Sequence, residues 1–415
     1  MRKKILKSYA ELIVKKGLAL RKNQAVVIAA DAENAELVAM IVQECYKNKA
    51  SRVIVRWDNE LVDRAQIKYG KVKELSKVLP FEEAFEQWQV DELPAALWVD
   101  SDDPDALKGL DPVVISTIAR EKMKVVAKYR NQRDTKYQWC ICAAPSKAWA
   151  KKVFPDLPVG KAVEKLWEAI LSTSRAIDGN GVENWTKHDK DLKAKCAYLN
   201  SLNLRKLHYT SSNGTDLTVG LIPGVIFQGG GESTITGDYY HPNIPSEECF
   251  TSPMKGKAEG IVYSAKPLVY RGQFIDNFYF KFHEGKVVEC HAEVGEEALK
   301  SILTLDEGAG YLGECALVPY DSPINNTGLL FYNTLFDENA ACHLAIGRGF
   351  LELYPGFENL SEDEIHAKGI NKSISHVDFM IGSKDLNIVG IDDKGNEIQI
   401  FKDGNWAPEI AAKLA

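Results

Sequence analysis

Apolar residues recur at two different periods along this chain. The change of period near residue 204 constrains the fold more than any other feature. From Ile5 to about Leu157, stretches of helical spacing alternate with short continuous apolar runs. Helical spacing runs through Ile5–Gly17. Gln24–Ala30 reads as a buried strand, with Asp31 as N-cap of an amphipathic helix to about Lys49. Arg52–Trp57 is the next strand, and a helix then reaches Tyr69. Ala95–Asp100 and Gln138–Ala143 are further buried strands, with the helix Val113–Tyr129 between them. Continuous apolar strands separated by helices predict a mostly parallel sheet covered on both faces.

Two helices follow, Lys161–Ile177 and one ending near Leu202, hinged at Gly179-Asn-Gly181. After them the period is two. Lys206–Thr210 and Asp216–Gly220, joined across Asn213-Gly214, predict a hairpin. Val225–Phe227, Gly260–Tyr263, Phe274–Phe282 and Lys286–His291 predict further strands, with one helix near Glu296–Leu303. The expected fold class is an α/β N-terminal domain with a mostly parallel sheet plus a β-rich (α+β) C-terminal domain. The first covers residues 1–203 with its linking helices, and the second residues 204–415. A length of 415 residues agrees with two cores, because single cores stop growing at about 250–300 residues.

Composition narrows the partners. Lys and Arg number 51 against 58 Asp and Glu, a formal charge of −7. That lacks the basic excess a phosphate backbone demands, so nucleic acid is not an expected partner. No apolar run approaches the ~20 residues of a membrane span, so no membrane association is expected. Arg2, Lys3 and Lys4 are followed by Lys7, Glu11, Lys15 and Lys16 rather than by a secretory apolar stretch, which points to a cytoplasmic protein. Cys140 and Cys142 lack a partner pair at zinc spacing and read as two buried, reduced thiols on one face of a strand. After the first strand, where a dinucleotide fingerprint would stand, the chain reads Ala-Ala-Asp-Ala-Glu-Asn, and the run Gly229–Gly231 is not followed by a helical pattern. A nucleotide cofactor is not expected.

Six of the eight histidines lie between positions 241 and 376. Four segments there combine acids, imidazoles and turn residues: Asn243–Phe250, Gly313–Tyr320, Phe331–His343 and Ser375–Asp378. On a strand, His376 and Asp378 share one face about 7 Å apart, with Val377 and Phe379 on the other. Two metal ions about 3.5–4 Å apart suit that separation, and so does an ordinary imidazole–carboxylate hydrogen bond. Glu314 opens an apolar run bound for the interior, where an ionised carboxylate needs a cation, although a Glu at a strand end is more often solvated. Glu247 and Glu248 follow Pro245 in a polar turn. Asn339 and His343 are expected on one face of a helix opened by Asp337. Three acids and two imidazoles, with no thiolate spacing to match, form a set suited to a catalytic rather than a structural metal site.

The segments NIPSEECFTSP (243–253), GECALVPYDSP (313–323), LFYNTLFDENAACH (330–343) and HVDFMIGS (376–383) closely resemble, in order and spacing, the signatures of the thermophilic-aminopeptidase (M29) family of metallo-aminopeptidases. The resemblance spans the whole length. It implies that Glu248, Glu314, His343, His376 and Asp378 bind two divalent metal ions, with zinc, cobalt, manganese and magnesium as candidates. It further implies removal of N-terminal residues from short peptides with a free N-terminus, broad side-chain tolerance often favouring hydrophobic residues, and a homodimer whose active sites face an enclosed cavity. Glu247, beside a ligand, becomes a candidate for proton transfer. The family's Tyr seven residues beyond the third ligand is Phe350 here, and a phenyl ring cannot donate a hydrogen bond to an oxyanion. Either Tyr332 or Tyr354 supplies the hydroxyl, or turnover is reduced, or that Tyr is dispensable. The competing expectation is a weakened or inactive peptide-binding homologue.

Overall fold

The computed structural model describes residues 2–270 and 273–414. Two compact units divide the chain: Met1–Thr186 with Gly231–Pro245, and Lys187–Gly230 with Ser246–Ala415.

The first unit is built on a five-stranded parallel sheet. Its strands are β1 (Ala25–Asp31), β2 (Arg52–Asp58), β3 (Ala95–Asp100), β4 (Trp139–Ala143) and the two-residue strand Asn243–Ile244, in the order β2-β1-β3-β4 followed by that short strand. The interior strands β1 and β3 are largely buried, whereas the edge strand β2 is half-exposed along its length. Asp31 caps as expected: its carboxylate accepts the Glu33 N–H at 2.7 Å and starts a short turn that leads into the helix Ala35–Lys47. The sequence reading omits the helix Pro80–Glu92, which carries Pro in its first turn and a Glu82 carboxylate that accepts the Leu79 N–H at 2.7 Å. Cys140 and Cys142 are fully buried free thiols, each pushed up by burial. Among the described residues no helix is long and apolar enough to cross a membrane.

The second unit holds two antiparallel sheets. In the larger, of nine strands, the expected hairpin Leu204–Thr210 and Asp216–Leu221 lies at the centre between Pro253–Tyr263 and Asn387–Asp392. The smaller has four strands in the order β5 (Cys249–Thr251), β6 (Leu312–Leu317), β7 (His343–Gly347) and β8 (His376–Met380). One face of this sheet, with Cys315, Leu317, Leu344, Ile346, Val377 and Phe379, joins a single core with Leu207, Leu217, Val219, Phe278 and Phe280 of the larger sheet. Val225–Phe227 is not a strand. The Asn200 side chain takes both backbone groups of Phe227, at 2.7 and 3.0 Å, where a strand partner would stand, and only Gln228 forms a bridge, to Phe250.

Candidate metal centre

Alternation along the four-stranded sheet decides where its acids and imidazoles go. With Leu344, Ile346, Val377 and Phe379 committed to the core, His343, His376 and Asp378 project from the opposite face. Register then aligns them: Glu314 on β6 lies opposite Ala345 on β7, and Ala345 opposite Asp378 on β8. Gly347 stands opposite His376, and Ala316 opposite His343. Alanine or glycine at the facing positions leaves room for the long side chains to converge. Glu248 immediately precedes β5 and has the parity of Phe250, whose register partner is Ala316, so it reaches the same face. Gly229 permits this approach, since a Cβ there would lie 2.3 Å from the Glu248 carbonyl oxygen.

The five side chains that the sequence singles out as ligands come together. Glu248, Glu314 and His343 each place one ligand atom within 4.8 Å of the others, and so do Glu314, His376 and Asp378. Glu314 is common to both groups. His376 Nε2 lies 3.0 Å from Glu314 Oε2 and 3.2 Å from Asp378 Oδ1, and His343 Nε2 lies 3.3 Å from Glu248 Oε2. The His376 ring is held from behind: its Nδ1–H donates to the Arg348 carbonyl at 2.8 Å, which fixes the tautomer and turns Nε2 toward the carboxylates. Side-chain exposure rises from 1% at His343 to 26% at His376, so the centre opens to solvent on the His376 side.

Charge is strongly out of balance. Burial pushes the Glu314 carboxyl up to about 7, aided by the negative charges of Glu248 and Asp378 and opposed by His376. Burial opposes protonation of His343, yet Glu248, Glu314 and Asp378 raise it to about 10. His376 is likewise raised against its burial, chiefly by Asp378, and the His376 charge holds Asp378 below the usual carboxylate range despite burial. Without cations, protons must carry the positive charge this cluster requires. Carboxylates and imidazoles gathered within coordination reach fit one or more divalent cations.

Other sequence candidates fall elsewhere. His343 does not share a helix with Asn339: the helix ends at Glu338, Asn339 caps it, and His343 opens β7. Asn339 has a positional role instead, accepting the Glu247 N–H at 2.8 Å and donating to the Leu335 carbonyl at 3.0 Å. The Glu247 carboxylate lies 3.7 Å from the His188 ring, whose Nε2 is also 2.7 Å from the Ser246 carbonyl, and Glu247 has the opposite parity to Glu248. Tyr332 occupies a left-handed turn (φ 56°) among backbone amides that bind the Asp337 carboxylate. Tyr354 packs beside Ile222, Ile365 and Ile370, with the Lys368 ammonium 5.0 Å over its ring. Of the six clustered histidines, His283 and His291 form exposed pairs with Glu259 and Glu296, and His241 packs edge-on against Trp185 and Tyr239 in the first unit. The sequence reading missed Glu338. Burial, Asp378 and Glu248 raise its carboxyl well above the ordinary range, so it belongs to this cluster. The signal was its place in the segment Asp337-Glu-Asn339, five residues before a ligand.

Comparison with known proteins adds an independent line. The profile of the family described as thermophilic metalloprotease (M29) matches residues 2–406. The aminopeptidase AmpS of Bacillus subtilis is 41% identical over 410 residues, covering 97% of this chain and 98% of its own. The aminopeptidase PepS of Streptococcus thermophilus is 38% identical, with 97% and 98% covered. Among solved structures, wild-type AmpT from Thermus thermophilus superposes with a TM-score of 0.90 at 35% identity, over 98% of this chain and 100% of that one.

Proposed function

The chain belongs to the thermophilic metalloprotease (M29) family, and on that premise we propose a metal-dependent aminopeptidase that uses two divalent cations to remove N-terminal residues from short peptides. The observation that carries the reading is the convergence of Glu248, Glu314, His343, His376 and Asp378 on one face of one sheet. Glu248, Glu314 and His343 would hold one cation, and Glu314, His376 and Asp378 the other. Zinc, cobalt, manganese and magnesium all suit these oxygen and nitrogen donors. When bound, such a pair supplies a Lewis acid for the peptide carbonyl and a water-derived nucleophile near neutral pH.

The chain's own groups do the rest. Glu338, whose carboxyl is raised by burial and by the charges of Asp378 and Glu248, is a second candidate for proton transfer beside Glu247, which steadies the Glu248 segment next to His188. Tyr332, which stands within the segment that ends at His343, is the candidate hydroxyl. The protein acts as a homodimer in the cytoplasm. Eight free cysteines, none of them fully exposed, support a reducing compartment.

Leucine, alanine and arginine p-nitroanilides, assayed with added Co²⁺, Zn²⁺, Mg²⁺ or Mn²⁺ before and after chelation, test the reading. Chelator-sensitive release is expected, with N-blocked analogues refused. Metal binding with no release from any substrate would instead favour the peptide-binding reading that the missing Phe350 hydroxyl raises. Sedimentation velocity checks the dimer.

A further inference from the structure

Two aromatic rings flank the open side of the metal centre. Phe350 lies 5.1 Å, centroid to centroid, from the His376 imidazole and 5.2 Å, edge to face, from Phe250. Phe250 reaches this place by register, since its β6 partner Ala316 pairs in turn with the ligand His343. Both rings are half-buried, and they stand beside the most exposed of the five ligands. Neither is a loose surface aromatic. The Phe350 N–H donates to the fully buried Ser252 Oγ at 2.8 Å, and Ser252 lies two residues beyond Phe250. The turn before Phe350 is tied by Gly349 N–H to the Asn371 carbonyl at 3.0 Å, and the Asn371 amide donates to the Gly347 carbonyl at 2.6 Å.

Resting on the proposed aminopeptidase activity, we infer that Phe250 and Phe350 form the wall that receives the side chain of the residue to be removed. They set a preference for aliphatic and aromatic first residues over small or acidic ones. A first residue whose backbone lies at the cations has its side chain within reach of this flank. Two fixed rings provide apolar contact without hydrogen-bonding capacity. An apolar side chain leaves water against them, whereas an acidic one would lose hydration there with no hydrogen-bond donor on the rings to replace it. The ring of Phe350, not the absent hydroxyl, is what this position contributes.

The test measures kcat/KM on leucine, phenylalanine, alanine and glutamate p-nitroanilides with the metal-loaded enzyme and its Phe350→Ala, Phe250→Ala and Phe350→Tyr variants, with bound metal read by mass spectrometry. Either alanine variant should lower the leucine-over-alanine ratio by about ten-fold, the scale on which a lost apolar contact discriminates. Phe350→Tyr keeps the ring and should keep the ratio, and metal content should hold throughout. Phe250→Ala carries the test if Phe350→Ala does not fold. An unchanged ratio in active variants overturns the wall and leaves the aminopeptidase reading standing. So does a variant that loses metal but keeps its ratio, because that assigns the rings to support of His376. A wild-type enzyme that releases nothing from any free N-terminus overturns the reading itself, and the wall with it.

Discussion

Single residues carry unequal weight at this centre. Glu314 is common to both ligand groups and is 5% exposed, so Glu314→Gln keeps volume and fold while removing a shared charge. Metal affinity should fall by more than the ~10–100-fold typical of a supporting residue, and activity with it, while circular dichroism stays native. A Glu314→Gln variant that holds metal and turnover would count heavily against the centre as drawn. Residue-level legibility follows from local rules. Period two alone put His376 and Asp378 on one face, whereas burial cost left Glu314 undecided and the resemblance of its segment to a known signature singled it out. Glu338 escaped because its neighbours in space, Asp378 and Glu248, are far away in sequence.

Elements were legible where their period was long and failed where it was short. The parallel strands, the hairpin at Asn213-Gly214 and the β8 alternation follow directly from periodicity. The strand His343–Gly347 was read as helix because every residue in it is buried, and a five-residue apolar run has no alternation to display. Its far end makes a specific prediction. Gly347 has φ 107°, and a Cβ there would lie 2.1 Å from the Ser375 carbonyl oxygen. Gly347→Ala should cost about 3 kcal/mol or more in denaturant unfolding and should displace the Arg348 carbonyl that holds His376. An unchanged midpoint would mean that β7 and β8 are spaced more widely than described.

A second prediction at the element scale concerns the carboxylates at the ends of β1–β3. Burial, with Asp102, Asp103 and Asp31 nearby, raises Glu60 to about 7, and burial with Asp100 and Asp58 raises Asp102 to about 6. These carboxyls hold protons more tightly folded than unfolded. Their contribution is therefore most favourable at low pH and is lost as pH rises from about 4 through 7. Glu60→Gln keeps the acceptor for the Asp103 N–H and should raise the melting temperature at pH 8 but not at pH 4. A gain equal at both pH values would mean that charge is not the cause.

At the scale of the whole molecule, all five proposed ligands belong to the unit formed by Lys187–Gly230 and Ser246–Ala415. Metal should therefore stabilise that unit, by about 2.7 kcal/mol at a free concentration one hundred times the dissociation constant. Hydrogen exchange resolves where: chelation should speed exchange in β7 and β8 and leave β1–β4 unchanged. Exchange that responds equally in both units would show that the cations bind elsewhere. The change of period near residue 204 was visible in the sequence, but the division between Thr186 and Lys187, inside the helix Gly181–Ser201, was not. The return of Gly231–Pro245 to the first unit was not, because Asn243–Ile244 is too short a strand to announce itself.

The most direct measurement is an anomalous difference map at the zinc or cobalt edge from a crystal soaked in that metal. The account predicts two peaks, one among Glu248, Glu314 and His343 and one among Glu314, His376 and Asp378, with Glu314 touching both. A map with no peak among these five side chains, recorded from crystals that bind the metal at other positions, would contradict it.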